Sequence, residues 1–409
     1  MADSGEINVL EVRLGNTKAG TLTLLSHGQD SADQIEFSFL REYLDLARRP
    51  ILGQKFEDDP SRRHVSRMRL PWFFSNLLPE GPLRDLIAKR EGVHTEREFF
   101  LIARLGDDLP GAIVVEPRGP LVSESGLVPV AEPPSDHESP LRFSLAGVQL
   151  KFSVLRQDRG LTIPVSGSGG DWIAKLPDNR YEHVPFNEFS MMTWAREAGA
   201  DVPEFELRKV SEIRGLPSEL SFKESEAYLI RRFDRAEGQR VHIEDFAQVL
   251  GKYPKDKYEG ANYETLAKIV HRIAGESALE EFVRRLVLIT AIGNSDAHLK
   301  NWSLIYPDGI RAQLSPAYDL VSTIHYPVSG GLALNLAKSK RFEDVSLASF
   351  SHLAGRIGVD PEWLTRLAKE SVQRTRDAWQ RTRGAMPIPE EFKRRIEAHW
   401  THIPLMQER

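Results

Sequence analysis

Gly293-Asn294-Ser295-Asp296-Ala297-His298-Leu299-Lys300-Asn301 places an Asp five positions before an Asn, directly after an apolar helical run. In a phosphotransfer catalytic loop an Asp accepts the proton of the attacking hydroxyl while an Asn amide oxygen holds a magnesium ion. This spacing lets one turn present both to the same phosphate. Such a loop needs a second acid for the other metal contact, and Asp319 lies 18 residues beyond Asn301, in Leu314-Ser315-Pro316-Ala317-Tyr318-Asp319-Leu320. A bare Asp-x-x-x-x-Asn equally describes a solvated turn that closes a helix, so the flanks decide.

Upstream, Leu279, Phe282, Val283, Leu286, Ile289 and Ile292 recur at helical spacing and lead into the Gly293-Asn294 turn. A buried helix would therefore deliver the polar loop from a rigid end. Downstream, Trp302-Ser303-Leu304-Ile305-Tyr306 and Ile310-Arg311-Ala312-Gln313-Leu314 read as short strands around Pro307-Asp308-Gly309. Helix, acidic loop, hairpin and second acid is the order of a kinase large lobe.

The chain has 409 residues, enough for two or three domains with cores of their own. Its 41% hydrophobic and 28% charged residues describe an ordinary globular composition. No segment approaches the roughly 18 uninterrupted apolar residues that span a bilayer. Met1-Ala2-Asp3-Ser4-Gly5-Glu6 lacks the basic and apolar regions of a secretory signal, so the cytosol is the expected compartment and no membrane partner is expected. Zero cysteines exclude disulfides, thiolate metal ligands and a cysteine nucleophile. A net charge of −5 argues against a general nucleic-acid coat. Residues 366–383 are locally basic, with six Arg or Lys against two acids, and read first as a solvated helix face.

Four regions follow along the chain. Residues 1–117 begin with the alternating run Ile7–Leu14, turn helical from Trp72 to Arg104 and end in the apolar strand Ala112–Val115, a small α+β unit. Residues 118–140, with prolines at 120, 129, 133, 134 and 140, form a linker. Residues 141–235 are strand-rich, with strands Lys151–Leu155, Trp172–Leu176 and Ala227–Phe233 and a helix from about Pro185 to Ala198. Residues 236–409 are mostly helical apart from the hairpin. The expected fold class is α+β, a two-lobed protein-kinase-like fold preceded by a small N-terminal subdomain.

In the strand-rich lobe, Lys175 sits inside an apolar run where an unpartnered charge is costly, and Glu188 on the following helix is the candidate partner. Such a pair orients a lysine on the α- and β-phosphates of ATP; the plainer reading is a lysine whose stem covers a sheet edge and whose head reaches water. Ser144-Leu145-Ala146-Gly147-Val148-Gln149-Leu150-Lys151 has one glycine, where a protein-kinase loop has three. Gly147 would still let backbone amides approach a phosphate, and Lys151 could add positive charge at the γ-phosphate. Ser166-Gly167-Ser168-Gly169-Gly170 is glycine-rich but reads as a hairpin turn, with no helix start behind it. Arg231-Arg232-Phe233-Asp234 ends the last strand, where backbone groups could meet an adenine edge.

As a set, Ser144-x-Ala146-Gly147-x-Gln149-x-Lys151, Lys175-Leu176-Pro177, Arg232-Phe233-Asp234-Arg235, His242-x-Glu244-Asp245, the 293–301 loop and Pro316-Ala317-Tyr318-Asp319 resemble the HipA family of serine/threonine kinases, toxins of bacterial toxin–antitoxin pairs. Asn76-Leu77-Leu78-Pro79-Glu80-Gly81 resembles the family's N-terminal subdomain. The resemblance implies that Asp296 is the catalytic base and that Asn301 and Asp319 hold Mg2+. It implies that Ala146, Gly147, Val148, Gln149, Leu150, Lys151 and Lys175 bind the phosphates of ATP, and that Arg231, Arg232 and Phe233 form the adenine hinge. His298, Leu299, Lys300, Asn301 and Tyr318 would line the nucleotide site, and Ser144 would be autophosphorylated. The implied partners are a helix-turn-helix antitoxin of the HipB kind, operator DNA reached mainly through that antitoxin, and an aminoacyl-tRNA synthetase, the glutamyl enzyme favoured, as protein substrate. Two alternatives stay open: a kinase of a small molecule or lipid, and a non-catalytic nucleotide-binding corepressor, against which the presence of Asp296, Asn301, Asp319 and Lys175 together argues.

Overall fold

The computed structural model describes residues 8–25, 33–119, 150–157, 160–162, 170–216, 220–236, 238–327 and 330–408. The chain divides into two compact units: residues 1–142, 234–254 and 306–310 form the first, and residues 143–233, 255–305 and 311–409 the second. Most of the linker expected at 118–140, and Ser144 to Gln149 with Ser166 to Gly169, lie outside the described residues.

The first unit is built on an antiparallel sheet of β1 (Asn8–Leu14), β2 (Thr17–Leu25), β3 (Gln34–Phe39), β4 (His64–Arg67) and β5 (Ile113–Pro117), in the order β4-β3-β2-β1-β5. Alternation sends Leu10, Val12, Leu22, Leu24, Ile35 and Phe37 into a core shared with Phe56, Phe73 and Phe74. The helical run expected from Trp72 to Arg104 is three helices, Trp72–Ser75, Gly81–Glu91 and Glu98–Leu105. Pro79 disfavours a helical residue before it, and Gly92 closes the second helix at φ +66°. Residues 235–245, expected to open the helical lobe, form the short strands Arg235–Ala236, Gln239–Arg240 and His242–Asp245. In the last of these His242 and Glu244 alternate inward, a period of two that no helix can satisfy.

The second unit carries a six-stranded sheet of β6 (Lys151–Gln157), β7 (Gly160–Thr162), β8 (Trp172–Lys175), β9 (Phe205–Lys209), β10 (Ile213–Arg214) and β11 (Glu226–Arg231), in the order β10-β7-β6-β8-β11-β9. Trp172, Ala174 and Leu176 pack on one face with Val154, Ala227 and Leu229. The alternation puts Lys175 on the other face, directly opposite Lys151 on β6 and Tyr228 on β11. The helix Val184–Glu197 follows β8, one residue earlier at each end than expected. The remainder is helical, with Tyr263–Ala274, Glu276–Ile292, Leu347–Ile357, Pro361–Thr382 and Glu390–Trp400, interrupted by the strands Ser303–Tyr306 and Gln313–Leu314. Among the described residues no helix is long and apolar enough to cross a membrane.

Candidate active site

The 293–301 loop is held from behind before it presents anything. The helix Glu276–Ile292 ends in a left-handed Gly293, φ +67°, where a Cβ would meet Ile324 Cγ2 at 2.5 Å. Gly293 N donates to Thr290 O at 3.2 Å and Asn294 N to Ile289 O at 3.0 Å, which together close a Schellman turn. The last carbonyls, otherwise without helical partners, are met from elsewhere in the unit. Trp400 Nε1 donates to Ala291 O at 2.8 Å, Ser322 Oγ to Ile292 O at 2.8 Å and Thr323 Oγ1 to Gly293 O at 2.8 Å, and His399 Nε2 lies 3.0 Å from Thr290 O.

Within the loop, side-chain amides set the two acids. Asn294 Oδ1 accepts from Asp296 N at 2.9 Å, and its Nδ2 donates to Asp319 O at 3.4 Å. Asn301 Nδ2 donates to Asp296 O at 2.9 Å, which turns the donor end of that amide inward and leaves its oxygen as the end able to take a cation. The Asp296 carboxylate accepts from the Tyr258 hydroxyl, and His298 Nε2 lies 3.9 Å from the same Oδ1. His298 is buried, edge-on to Tyr258 with ring centroids 5.0 Å apart. Leu299 is buried, with its N donating to Lys257 O at 3.1 Å. Tyr318 OH donates to Lys300 O at 2.9 Å and lies 2.6 Å from Ser303 Oγ. Asn301, Tyr318 and Asp319 line one small pocket with Asn294 and Trp302.

Asp319 is the centre of charge. Its φ is +56°, a left-handed conformation that Asp tolerates better than most residues but at a cost. Lys175 Nζ donates to both Glu188 and Asp319, and Lys151 Nζ lies 3.7 Å from Asp319 Oδ2. Like charges directly across a strand pair are destabilising, so Lys151 and Lys175 can face each other only with an anion between them. Burial opposes the charge on Lys175, yet Asp319 and Glu188 hold its pKa above that of an ordinary lysine. Burial likewise opposes ionisation of Asp319, but Lys151 and Lys175 hold it well below the usual carboxylate range. Burial pushes the Glu188 carboxyl up against the pull of Lys175. The oxygen set of Asp319 and Asn301 suits Mg2+, which takes one or two protein oxygens and completes its shell with phosphate and water. Two lysines on one face suit the phosphates.

The strand end reads differently from its neighbours. Arg231 N donates to Glu204 O at 2.8 Å and Arg232 N to Asp171 O at 2.9 Å. Both of these amides are thus used by the protein, and the Phe233 ring lies 5.6 Å from that of Tyr318. Leu150 O accepts from Leu176 N at 2.9 Å and so extends the β6–β8 pairing. Ser144, Ala146, Gly147, Val148 and Gln149 lie outside the described residues. Asp234 and Glu244, part of the motif set, belong to the first unit instead. Asp234 Oδ2 accepts from Gly111 N at 2.7 Å, and Glu244 accepts from Gln54 N at 3.1 Å to each oxygen and from Tyr306 OH.

Two residues of the site carry no signal in the sequence: Tyr258 and Asn187. Asn187, fully buried beside Glu188, donates from Nδ2 to Ser322 O at 2.8 Å and accepts at Oδ1 from Ser322 N at 3.0 Å. It thereby ties the Glu188 helix to the segment that carries Asp319. Asn294, by contrast, stands in the Gly293-Asn294 turn that the sequence marks.

The family model of the HipA-like C-terminal domain matches residues 143–379, and that of the HipA N-terminal domain matches residues 10–116. The chain is 42% identical over 420 residues to the Sinorhizobium fredii protein named "Putative kinase Y4dM", an alignment that spans 98% of this chain and 99% of the relative. It is 29% identical over 293 residues to the "Serine/threonine-protein kinase toxin HipA" of Shewanella oneidensis, spanning 63% of this chain and 64% of that protein. A chain of the solved Shewanella oneidensis complex of HipA, HipB and operator DNA superposes with a TM-score of 0.73 at 22% identity, covering 98% of this chain and 96% of that one. That likeness is one of fold, the mixed α+β architecture expected.

Proposed function

This chain belongs to the HipA family, and from that premise we propose that it is an ATP- and Mg2+-dependent serine/threonine protein kinase, the toxin of a toxin–antitoxin pair. The observation that carries the reading is Asp319 between Lys151 and Lys175, with Glu188 behind Lys175. A strand lysine, a helix glutamate and a metal-type aspartate in one cluster form the electrostatic half of a phosphotransfer site. In this role Lys175, oriented by Glu188, takes the α- and β-phosphates, and Lys151, with the 146–150 segment, takes the γ-phosphate. Asp319 and the Asn301 oxygen hold Mg2+, which when bound neutralises charge on the phosphates. Asp296 receives the proton of the acceptor hydroxyl, and Phe233, with Arg231 and Arg232, bounds the adenine, while His298 and Tyr318 wall the site.

The substrate in this reading is an aminoacyl-tRNA synthetase, the glutamyl type favoured, so that phosphorylation halts translation in the cytoplasm. The restraining partner is a helix-turn-helix antitoxin of the HipB kind. Ser144 is the self-phosphorylated residue; its phosphate adds about 1.5 to 2 negative charges where ATP must put its own, which disfavours nucleotide binding. The test is a radiolabelled phosphate-transfer assay with fragment sequencing of the labelled chain. Asp296→Asn should abolish transfer and leave ATP binding nearly intact, since a base acts in the transition state, and wild-type label should sit on Ser144. Transfer by Asp296→Asn at the wild-type rate sinks the base assignment. Label elsewhere sinks that of Ser144.

A further inference from the structure

A hydroxyl already occupies the base. In a kinase the acceptor's hydroxyl donates to the catalytic aspartate, and a general base must lie within hydrogen-bond reach of the proton it takes. Tyr258 makes that bond to Asp296 Oδ1. The ring is only half-buried, so packing alone does not require it there. It is held nonetheless. Lys340 Nζ donates to Tyr258 O at 3.4 Å, Lys257 Nζ lies 5.9 Å from the ring centroid, and the buried His298 closes one edge. Neighbouring Leu299 N donates to Lys257 O, which fastens the 257–258 backbone to the catalytic loop itself.

We propose, resting on the kinase reading above, that Tyr258 is a specificity-determining residue that holds the acceptor's place on Asp296 and keeps water off it until a protein hydroxyl displaces the phenol. Without such a placeholder, a water on Oδ1 would be a competent nucleophile. Its oxygen would bond to the γ-phosphorus as the bridging P–O bond to ADP broke, its proton would pass to Asp296, and ATP would be hydrolysed with nothing phosphorylated. A folded protein acceptor brings further contacts that offset the lost Tyr258 bond. Water brings none.

The experiment measures phosphate release from MgATP without acceptor, in a Ser144→Ala background that removes self-phosphorylation, for the otherwise unchanged chain, Tyr258→Phe, Asp296→Asn and the double variant. Tyr258→Phe keeps the ring and removes only the hydroxyl. It should raise acceptor-free hydrolysis by about tenfold, the size of one charge-assisted hydrogen bond, and the gain should vanish in the double variant. A residue that merely supported the fold would lower turnover on substitution. Asp296-dependent turnover that Tyr258→Phe leaves unchanged or reduces overturns the inference alone, as does phosphate found on Tyr258, which would make the phenol an acceptor. If no variant, the otherwise unchanged chain included, shows Asp296-dependent turnover, the inference falls, while phosphate transfer in the radiolabel assay decides the kinase reading separately.

Discussion

Asp319 has more to satisfy than any other residue of the site: a left-handed backbone, two ammonium groups and an amide on its carbonyl. Asp319→Ala should therefore show two effects. Mg2+-dependent nucleotide binding should be lost, and the protein should be less stable by roughly 3 kcal/mol, because Lys175 then keeps Glu188 alone and Lys151 faces it with no anion between them. Calorimetric titration with MgATP and chemical denaturation measure these separately; unchanged stability would show that Lys151 and Lys175 find other partners. At this scale the sequence was legible where chemistry dictates spacing. Asp296 and Asn301 share one turn, joined by the bond from Asn301 Nδ2 to Asp296 O, and Lys175 is conspicuous as a charge in an apolar strand. Tyr258 is 38 positions from Asp296 and Asn187 is 135 from Ser322, and no local pattern marks a contact made by folding alone.

The helix Val184–Glu197 and the segment that follows Asp319 act as one element because of Asn187. Its amide exchanges both hydrogen bonds with the Ser322 backbone, and Nδ2 also lies 3.2 Å from Tyr326 OH. Asn187→Leu keeps the approximate size but leaves a buried carbonyl and a buried N–H unpaired. We expect a rise of about tenfold in the Mg2+ concentration for half-maximal phosphate transfer, with metal-free nucleotide affinity little changed. A Mg2+ titration checks this, and an equal loss at all Mg2+ concentrations would indicate plain destabilisation. Long periodic elements such as Glu276–Ile292 were legible because their apolar spacing is itself the packing requirement. The 235–245 strands were not, since strands of two to four residues carry too few side chains to display a period unambiguously.

The first unit contributes a pH dependence to the stability of the whole molecule. Burial pushes Glu244 up to about 8 despite the Tyr306 and Gln54 donors, and burial holds His242 down to about 4. A carboxyl whose folded pKa exceeds its unfolded value stabilises the fold below that unfolded value, and stability then falls as pH rises through the folded one. His242 works in the opposite direction, its contribution being lost as pH falls from about 6.5 towards 4. Above pH 6.5 only Glu244 remains, so stability should fall by about 2 kcal/mol between pH 6.5 and 8. Thermal melts should show Glu244→Gln flat over that range; a parallel fall in the variant would assign the dependence elsewhere.

A second prediction at this scale concerns DNA. In the basic 366–383 stretch, Arg376 donates to Met406 O and Glu408 O, and Arg383 pairs with Glu390 and Glu397, which leaves Arg366, Lys369, Arg374 and Arg381 as its exposed cations, the last paired with Glu197. So few cations, on a chain of net charge −5, should give little sequence-specific binding by the isolated protein, with operator retention appearing only with the antitoxin. A gel shift at physiological salt decides, and tight specific binding by the chain alone would refute it.

The path of the chain between its two units bears on how the protein is made. It leaves the first unit and returns to it twice, the last time for residues 306–310, on either side of the stretch that holds the candidate base. A ribosome releasing this polypeptide from its N-terminus cannot complete the first unit until residue 310 has emerged, and the second waits for the closing helix whose Trp400 caps the catalytic helix. Partial translation products that stop short of Trp400 would therefore carry the 293–301 loop without the bond from Trp400 Nε1 to Ala291 O behind it.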